Sequence, residues 1–252
     1  MIDVVLAPNP GLLTLDGTNT YVIASAGKSI VVDPGPSDTG HRTRIEAVTA
    51  EPKLILATHR HDDHYQAAPG LAARWQCRVR SADRALCIGA DPVQDTEVIT
   101  VGDVSVRVVS TPGHTDDSIS LLVAEAAEPT VLLTGDTVLG CGTTMISCPD
   151  GDLGAYLSSL ARLAAVVGSD RVSVIHPGHG PVITDPAGWI RYYQDHRAER
   201  LDQVRAALDA GGRTAEEIVD AVYPGLDARV RSAALQSLHA QLAYLQRGAV
   251  DS

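Results

Sequence analysis

The chain has 252 residues, 44% hydrophobic and 20% charged, which suits one large domain or one domain with a small appendage. Such a composition supports a sizeable core and argues against wholesale disorder, and no apolar run reaches the roughly 18 residues needed to span a bilayer. The formal net charge of −11, from 20 basic and 31 acidic side chains, argues against a broad basic face for nucleic acid but leaves room for a nucleic-acid enzyme with a local metal site. The opening MIDVVLAPNPG has no basic segment, so no secretory signal is expected. Cys77, Cys87, Cys141 and Cys148 show no CxxC spacing and read as reduced thiols of a cytoplasmic protein.

In chain order, Thr20–Ala24 and Ser29–Asp33 flank the turn Ala26-Gly27-Lys28 and predict a β-hairpin. Leu54–Ala57 predicts a short buried strand, followed at once by the polar run THRHDDH and by a helix over about Gln66–Trp75. Val104–Val109 alternates with polar residues and stops at Thr111-Pro112-Gly113, and Ile119–Ala124 and Thr130–Thr134 are two further apolar runs. Leu153, Leu157, Leu160, Leu163 and Ala164 recur at helical spacing across Leu153–Val167, and Val172–Ile175 is the last strong strand.

The pattern changes near Asp185. From Pro186 the chain reads as helices over Trp189–Ala210, Thr214–Val222 and Ala228–Leu245, with Thr214 as an N-cap. Residues 1–185 carry 12 basic and 22 acidic side chains, whereas residues 186–252 carry 8 and 9. The expected organisation is a catalytic domain of residues 1–185 and a helical C-terminal module of residues 186–252.

The chemistry concentrates in His59-Arg60-His61-Asp62-Asp63-His64, directly after a buried strand. His114, Asp136 and His179 follow at the ends of later strands, each beside a glycine that lets backbone approach closely. Imidazole and carboxylate suit zinc, and also manganese or iron.

The pattern HxHxDH, followed in order by an isolated His, an Asp and a His, resembles the metallo-β-lactamase superfamily. The resemblance implies an α+β fold, a four-layer αββα sandwich, with two metals at one edge of the sheets and two zinc ions per chain, manganese or iron being alternatives. It implies that His59, His61 and His114 hold one metal, that Asp63, His64 and His179 hold the other, and that Asp136 bridges them. Two ions about 3.5–4 Å apart lower the pKa of a shared water toward 7. Asp63 and Asp136 are then the catalytic carboxylates, Asp63 also orienting the hydroxide.

A finer resemblance rests on GTNTY (17–21), TPGHTDDS (111–118), GDTVLGCGTT (135–144), DGDLGAYLSSL (150–160) and HRAERLDQ (196–203). These segments are similar to a β-lactamase-like branch that includes a mitochondrial endoribonuclease and ends in a winged-helix-like module. That branch implies phosphodiester hydrolysis of single-stranded RNA. The alternative is hydrolysis of a small thioester, lactone or ester, in the manner of hydroxyacylglutathione hydrolases, for which an acidic surface is no handicap. A non-catalytic zinc-stabilised scaffold and a single-iron persulfide dioxygenase are the remaining readings, and the complete set of seven candidate ligands argues against both.

Other residues carry blander expectations. Asp33 in DPG is expected to buttress the ligand loop, and Asp62 to be peripheral. Arg60 reads as a solvated loop side chain, His176 as a hydrogen-bonded strand-end residue, and His41 and His239 as surface residues. Trp189, Tyr192, Tyr193, His196 and Arg197 are expected to pack a helix against its domain. Cys141 and Cys148 lie in a loop that borders the site and are not assigned as ligands.

Overall fold

The computed structural model describes residues 2–126, 128–147 and 149–250. Cys148 therefore lies outside the described residues, while Cys77, Cys87 and Cys141 are free thiols.

Two five-stranded sheets face each other. The first holds β1 (Ile2–Leu6), β2 (Asn19–Ser25), β3 (Lys28–Val32), β4 (Pro52–Leu56) and β5 (Arg78–Arg80), in that order. The second holds β6 (Val98–Val101), β7 (Val104–Ser110), β8 (Ile119–Glu125), β9 (Thr130–Gly135) and β10 (Val172–Pro177), with spatial order β10-β9-β8-β7-β6. The expected hairpin is present, with Val22 paired to Val31 and Ile23 to Ile30. β3, β4 and β5 run parallel, and β10 runs parallel to β9.

Strand alternation decides the layers, because successive side chains point to opposite faces. Ile30, Val32, Leu54 and Leu56 face inward and meet Val104, Val106, Leu121 and Leu133 of the other sheet. Val31 and Ile55 face outward, against Ile45 of α1 (Thr39–Val48) and Leu71 of α3 (Ala68–Trp75). On the far side, Leu132 and Ile175 pack against Tyr156, Leu160 and Leu163 of α4 (Leu153–Ser169) and Tyr193 of α5 (Pro186–Asp209). The result is the four-layer αββα sandwich, an α+β fold.

α6 (Ala215–Val222) and α7 (Ala228–Val250) complete the helical C-terminus around Val204, Ile218, Val219 and Leu238. Thr214 caps α6 as expected, in a capping box with Glu217. α5 also enters the core of the preceding unit. Tyr193 is fully buried there, accepts a hydrogen bond from Leu139 N–H at 2.8 Å, and lies beside Trp189, whose Nε1 donates to Leu139 O at 2.8 Å. The loop after β9 is thus pinned by the C-terminal helix.

Several elements depart from the sequence expectation. β1, β5, β6 and α1 were not anticipated. β5 is three residues long and β6 leaves Val98 exposed, so neither carries a strong pattern. α1 buries only His41 and Ile45 and is started by Asp38, whose side chain accepts from His41 N–H at 2.6 Å. The helix expected over about Gln66–Trp75 is present as α3, and a further short helix, α2 (Asp62–Tyr65), precedes it within the histidine run. His41 is a correction: it is fully buried with its Nε2 3.0 Å from Thr20 Oγ1, because its helix packs that face on the first sheet. No helix among the described residues is long and apolar enough to cross a membrane.

Tyr193→Phe should leave the Leu139 N–H buried without its acceptor and lower unfolding stability by about 1–3 kcal/mol. A urea titration with an unchanged slope and a lower midpoint would bear this out; an unchanged midpoint would show that α5 does not anchor the loop.

Candidate metal centre

The candidate residues arrive on four strand ends at one edge of the sandwich. β4 delivers His59 and His61, and α2 carries Asp63 and His64 back over that edge. His114 follows β7, Asp136 follows β9 and His179 follows β10. Gly178 makes the approach possible, since a Cβ there would lie 2.4 Å from Asp136 Oδ1 and 2.8 Å from His64 Cε1.

All seven come together. Three groups have ligand atoms within 4.8 Å of one another: His59 with His61 and His114, His59 with His64 and Asp136, and Asp63 with His64 and His179. His59 Nε2 and His114 Nε2 lie 3.0 and 3.1 Å from His61 Nδ1. His64 Nε2 and His179 Nε2 are 3.2 Å apart. Asp136 touches both halves, with Oδ1 3.3 Å from His64 Nε2 and Oδ2 3.4 and 3.7 Å from His179 and His114 Nε2. Asp63 Oδ2 lies 3.2 Å from His179 Nε2 and 3.5 Å from His64 Nε2.

The outward nitrogens say which way the lone pairs point. His64 Nδ1 donates to Asp33 Oδ2 at 2.9 Å, His114 Nδ1 to Met145 O at 2.9 Å, and His179 Nδ1 to Gly17 O at 3.0 Å. His61 Nε2 faces Asp150 Oδ2 at 3.2 Å. Thr58 Oγ1 gives its proton to Asp33 Oδ2, so it accepts from His59 Nδ1 at 3.1 Å. With every outer nitrogen a donor, each neutral ring turns a lone pair toward the others. Facing lone pairs repel, and a shared cation is what this donor set fits; hydrogen-bonded outer nitrogens are the usual setting of metal-binding imidazoles. Asp136 Oδ1, buried and without a hydrogen-bond donor, points the same way.

The electrostatics agree. Burial, with His64 the next contributor, holds His59 well below the ordinary imidazole range, and burial also lowers His114. For His64 burial opposes charge, yet Asp136 and Asp33 outweigh it and raise the ring well above that range. His179 is raised to about 9, burial being overcome by Asp136 and Asp63. Asp136 stays well below the carboxylate range because His64 and His179 outweigh its burial. Without a cation, protons on His64 and His179 supply the positive charge.

Asp33 buttresses the loop as expected. At φ +50°, in the left-handed region, it accepts from Thr58 N–H and Thr58 Oγ1, both at 2.7 Å, besides His64. Asp62 is exposed and outside the cluster. Arg60 is more than a solvated side chain, since it pairs with Asp116, Asp117 and Asp150. Asp150, which orients His61, was missed as a site residue although it opens the segment DGDLG. The carbonyls of Met145 and Gly17 leave no side-chain signal to find. Leu12 and Leu13, exposed at the rim, were visible only as an apolar pair in a Pro- and Gly-rich loop.

Metal uptake by metal-free protein near pH 7.5 should release protons, because His64 and His179 must give theirs up. Titration calorimetry in buffers of different ionisation enthalpy checks this; a buffer-independent heat would contradict it. The sign for stability follows. His179 is raised from 6.5 to about 9, so its contribution to the metal-free protein is complete below about 6.5 and disappears as pH rises through about 9. Thermal melts of chelator-treated protein across that window should decline.

Residues 13–179 match the Metallo-beta-lactamase superfamily, and residues 214–248 match the beta-lactamase associated winged helix domain. A lactamase-like protein from Penicillium aethiopicum is 36% identical over 235 residues, which cover 86% of this chain and 72% of that protein. An atrochrysone carboxyl ACP thioesterase from Aspergillus chevalieri is 33% identical over 250 residues, covering 92% of this chain and 76% of the relative. A metallo-beta-lactamase family protein from Thermus thermophilus superposes with a TM-score of 0.79 at 23% identity, over 98% of this chain and 94% of that one. With the fold, the ordered His and Asp residues and the matched length in agreement, the chain belongs to the metallo-beta-lactamase superfamily and is a metal-dependent hydrolase.

Proposed function

We propose that this hydrolase cleaves a thioester, carried on a small thiol or on a carrier-protein arm. The observation that carries this reading is the cavity over the cluster, onto which His61, Asp63, His114, Asp136 and His179 open. Leu12, Leu13, Leu15, Leu139 and Met145 line it, and no Lys or Arg does among the described residues. An apolar mouth without cations suits a neutral acyl thioester. A chain of net charge −11 with no Lys or Arg lining this cavity is poorly equipped to hold consecutive phosphates, so single-stranded RNA is the weaker substrate. The thioesterase name of the 33% identical relative supports the same choice.

His59, His61 and His114 would hold one ion and Asp63, His64 and His179 a second, with Asp136 between them; zinc is the first expectation, manganese or iron the alternatives. When bound, the ions would supply an activated water near neutral pH and polarise the scissile carbonyl. The protein's own part is orientation. Asp33, Asp150 and the carbonyls of Met145 and Gly17 fix the rings. Asp63, with its side chain 29% exposed, lines the cavity and would be placed to accept a proton from the attacking water. Residues 1–185 act as the catalytic unit in this reading, and residues 186–252 as the module that closes it on one side. The free thiols of Cys77, Cys87 and Cys141 support a cytoplasmic setting.

Zinc- or manganese-loaded protein should turn over acyl thioesters, and Asp136→Ala should lower kcat/KM about a hundredfold or more. An end-labelled unstructured RNA should stay intact at low salt. Cleaved RNA beside untouched thioesters would replace this reading with the endoribonuclease one.

A further inference from the structure

We propose that a second cavity, beside the candidate centre, binds the phosphate end of a phosphopantetheine arm, so that the substrate enters as a phosphopantetheine thioester. This rests on the thioesterase reading and specifies its leaving group. The cavity, of about 310 Å³, shares Leu12, Leu13, Thr143, Thr144 and Met145 with the cavity over the cluster. The two are therefore adjoining spaces that share those side chains as a wall. Its far wall belongs to the C-terminal helices.

That far wall holds what the mouth lacks. Arg197 and Arg200, three residues apart on α5, both line the second cavity. Neither has a carboxylate partner among the described residues, whereas nine other arginines there are ion-paired. Arg197 is 5% exposed, donates to the Thr144 carbonyl and leaves its Nε buried without a partner. Its guanidinium carbon lies 5.1 Å from the centre of the Tyr156 ring. Arg200 stacks at 4.7 Å over Tyr223 and donates to Gln203 Oε1 at 2.7 Å. Two half-satisfied guanidiniums held in place by aromatic rings form a preorganised anion site, and guanidinium suits phosphate through its forked donors.

The division of polarity matches one ligand chemistry. A phosphopantetheine thioester is uncharged at its sulfur and anionic at its other end. The uncharged end meets the leucine-lined mouth and the anion meets Arg197 and Arg200. Leu12 and Leu13, 64% and 56% exposed, stand between the two cavities and would be covered by the arm. Large apolar side chains at a rim are a common mark of such a contact.

The test uses the metal-loaded full chain and two thioesters with one acyl group, on phosphopantetheine and on pantetheine, which differ only in the phosphate. The wild type should show the lower KM for the phosphorylated one. Arg200→Gln should shrink that KM advantage about tenfold, the usual worth of a charge-assisted hydrogen bond. Ala233→Phe, which fills the cavity from α7, should shrink it as well and covers the case of a misfolded Arg200 variant. Arg205→Gln, on the same helix but paired with Asp202 at 2.7 Å, should keep the wild-type ratio. Equal KM for the two thioesters, or a ratio untouched by Arg200→Gln and Ala233→Phe, overturns the subsite while thioesterase activity stands. An Arg200 effect that instead follows a carboxylate placed on the acyl group also overturns it. Failure of the wild type to hydrolyse any thioester defeats the thioesterase reading and the subsite together.

Discussion

Lone pairs turned toward one another need positive charge between them, and that need organises one whole edge of this protein. Five imidazoles and two carboxylates converge there, held by hydrogen bonds on their outer sides. The sandwich is the device that brings the strand ends together, and its core offsets the electrostatic cost of the gathering. Burial alone would neutralise His64 and His179, yet both are raised, because Asp136, Asp33 and Asp63 outweigh the loss of water.

The buttressing reaches far from the reacting centre. Thr58 relays between Asp33 and His59, so one carboxylate orients two neighbouring rings, His59 and His64. The loop after β9 supplies Asp136 and is tied in turn to Trp189 and Tyr193 of α5. The C-terminal helices therefore help fix the catalytic edge as well as framing the adjoining cavity. On the proposed reading, substrate preference would come from outside the cluster, from the leucines of the 12–15 loop, residues 143–145 and the arginines of α5, which line the two cavities.

Much of this was legible in the sequence, for identifiable reasons. Strands such as Ser29–Asp33 and Val104–Val109 announce themselves because apolar alternation reports burial on the inner face. His59, His61, Asp63, His64, His114, Asp136 and His179 stood out as candidates because their ordered motifs follow apolar strand runs, and the structure gathers them at one edge. What escaped was carried by weak or absent local pattern. β5 and β6 are short edge strands, and α1 owes its position to an aspartate cap and two buried residues. His41 looked peripheral because a lone histidine says nothing about which side of a helix is covered. The roles of Met145 and Gly17 are played by backbone carbonyls, which every residue has. The adjoining cavity depends on how α5 and α7 meet two distant loops, a relation no local window contains.

The most direct measurement is the divalent metal content of the purified protein, by elemental analysis after exhaustive dialysis, for the wild type and for Asp136→Ala. The proposed assignment predicts two ions per chain in the wild type and a clear loss in the variant. A folded wild type that holds no divalent ion, even after incubation with zinc or manganese, would contradict the assignment of these seven residues.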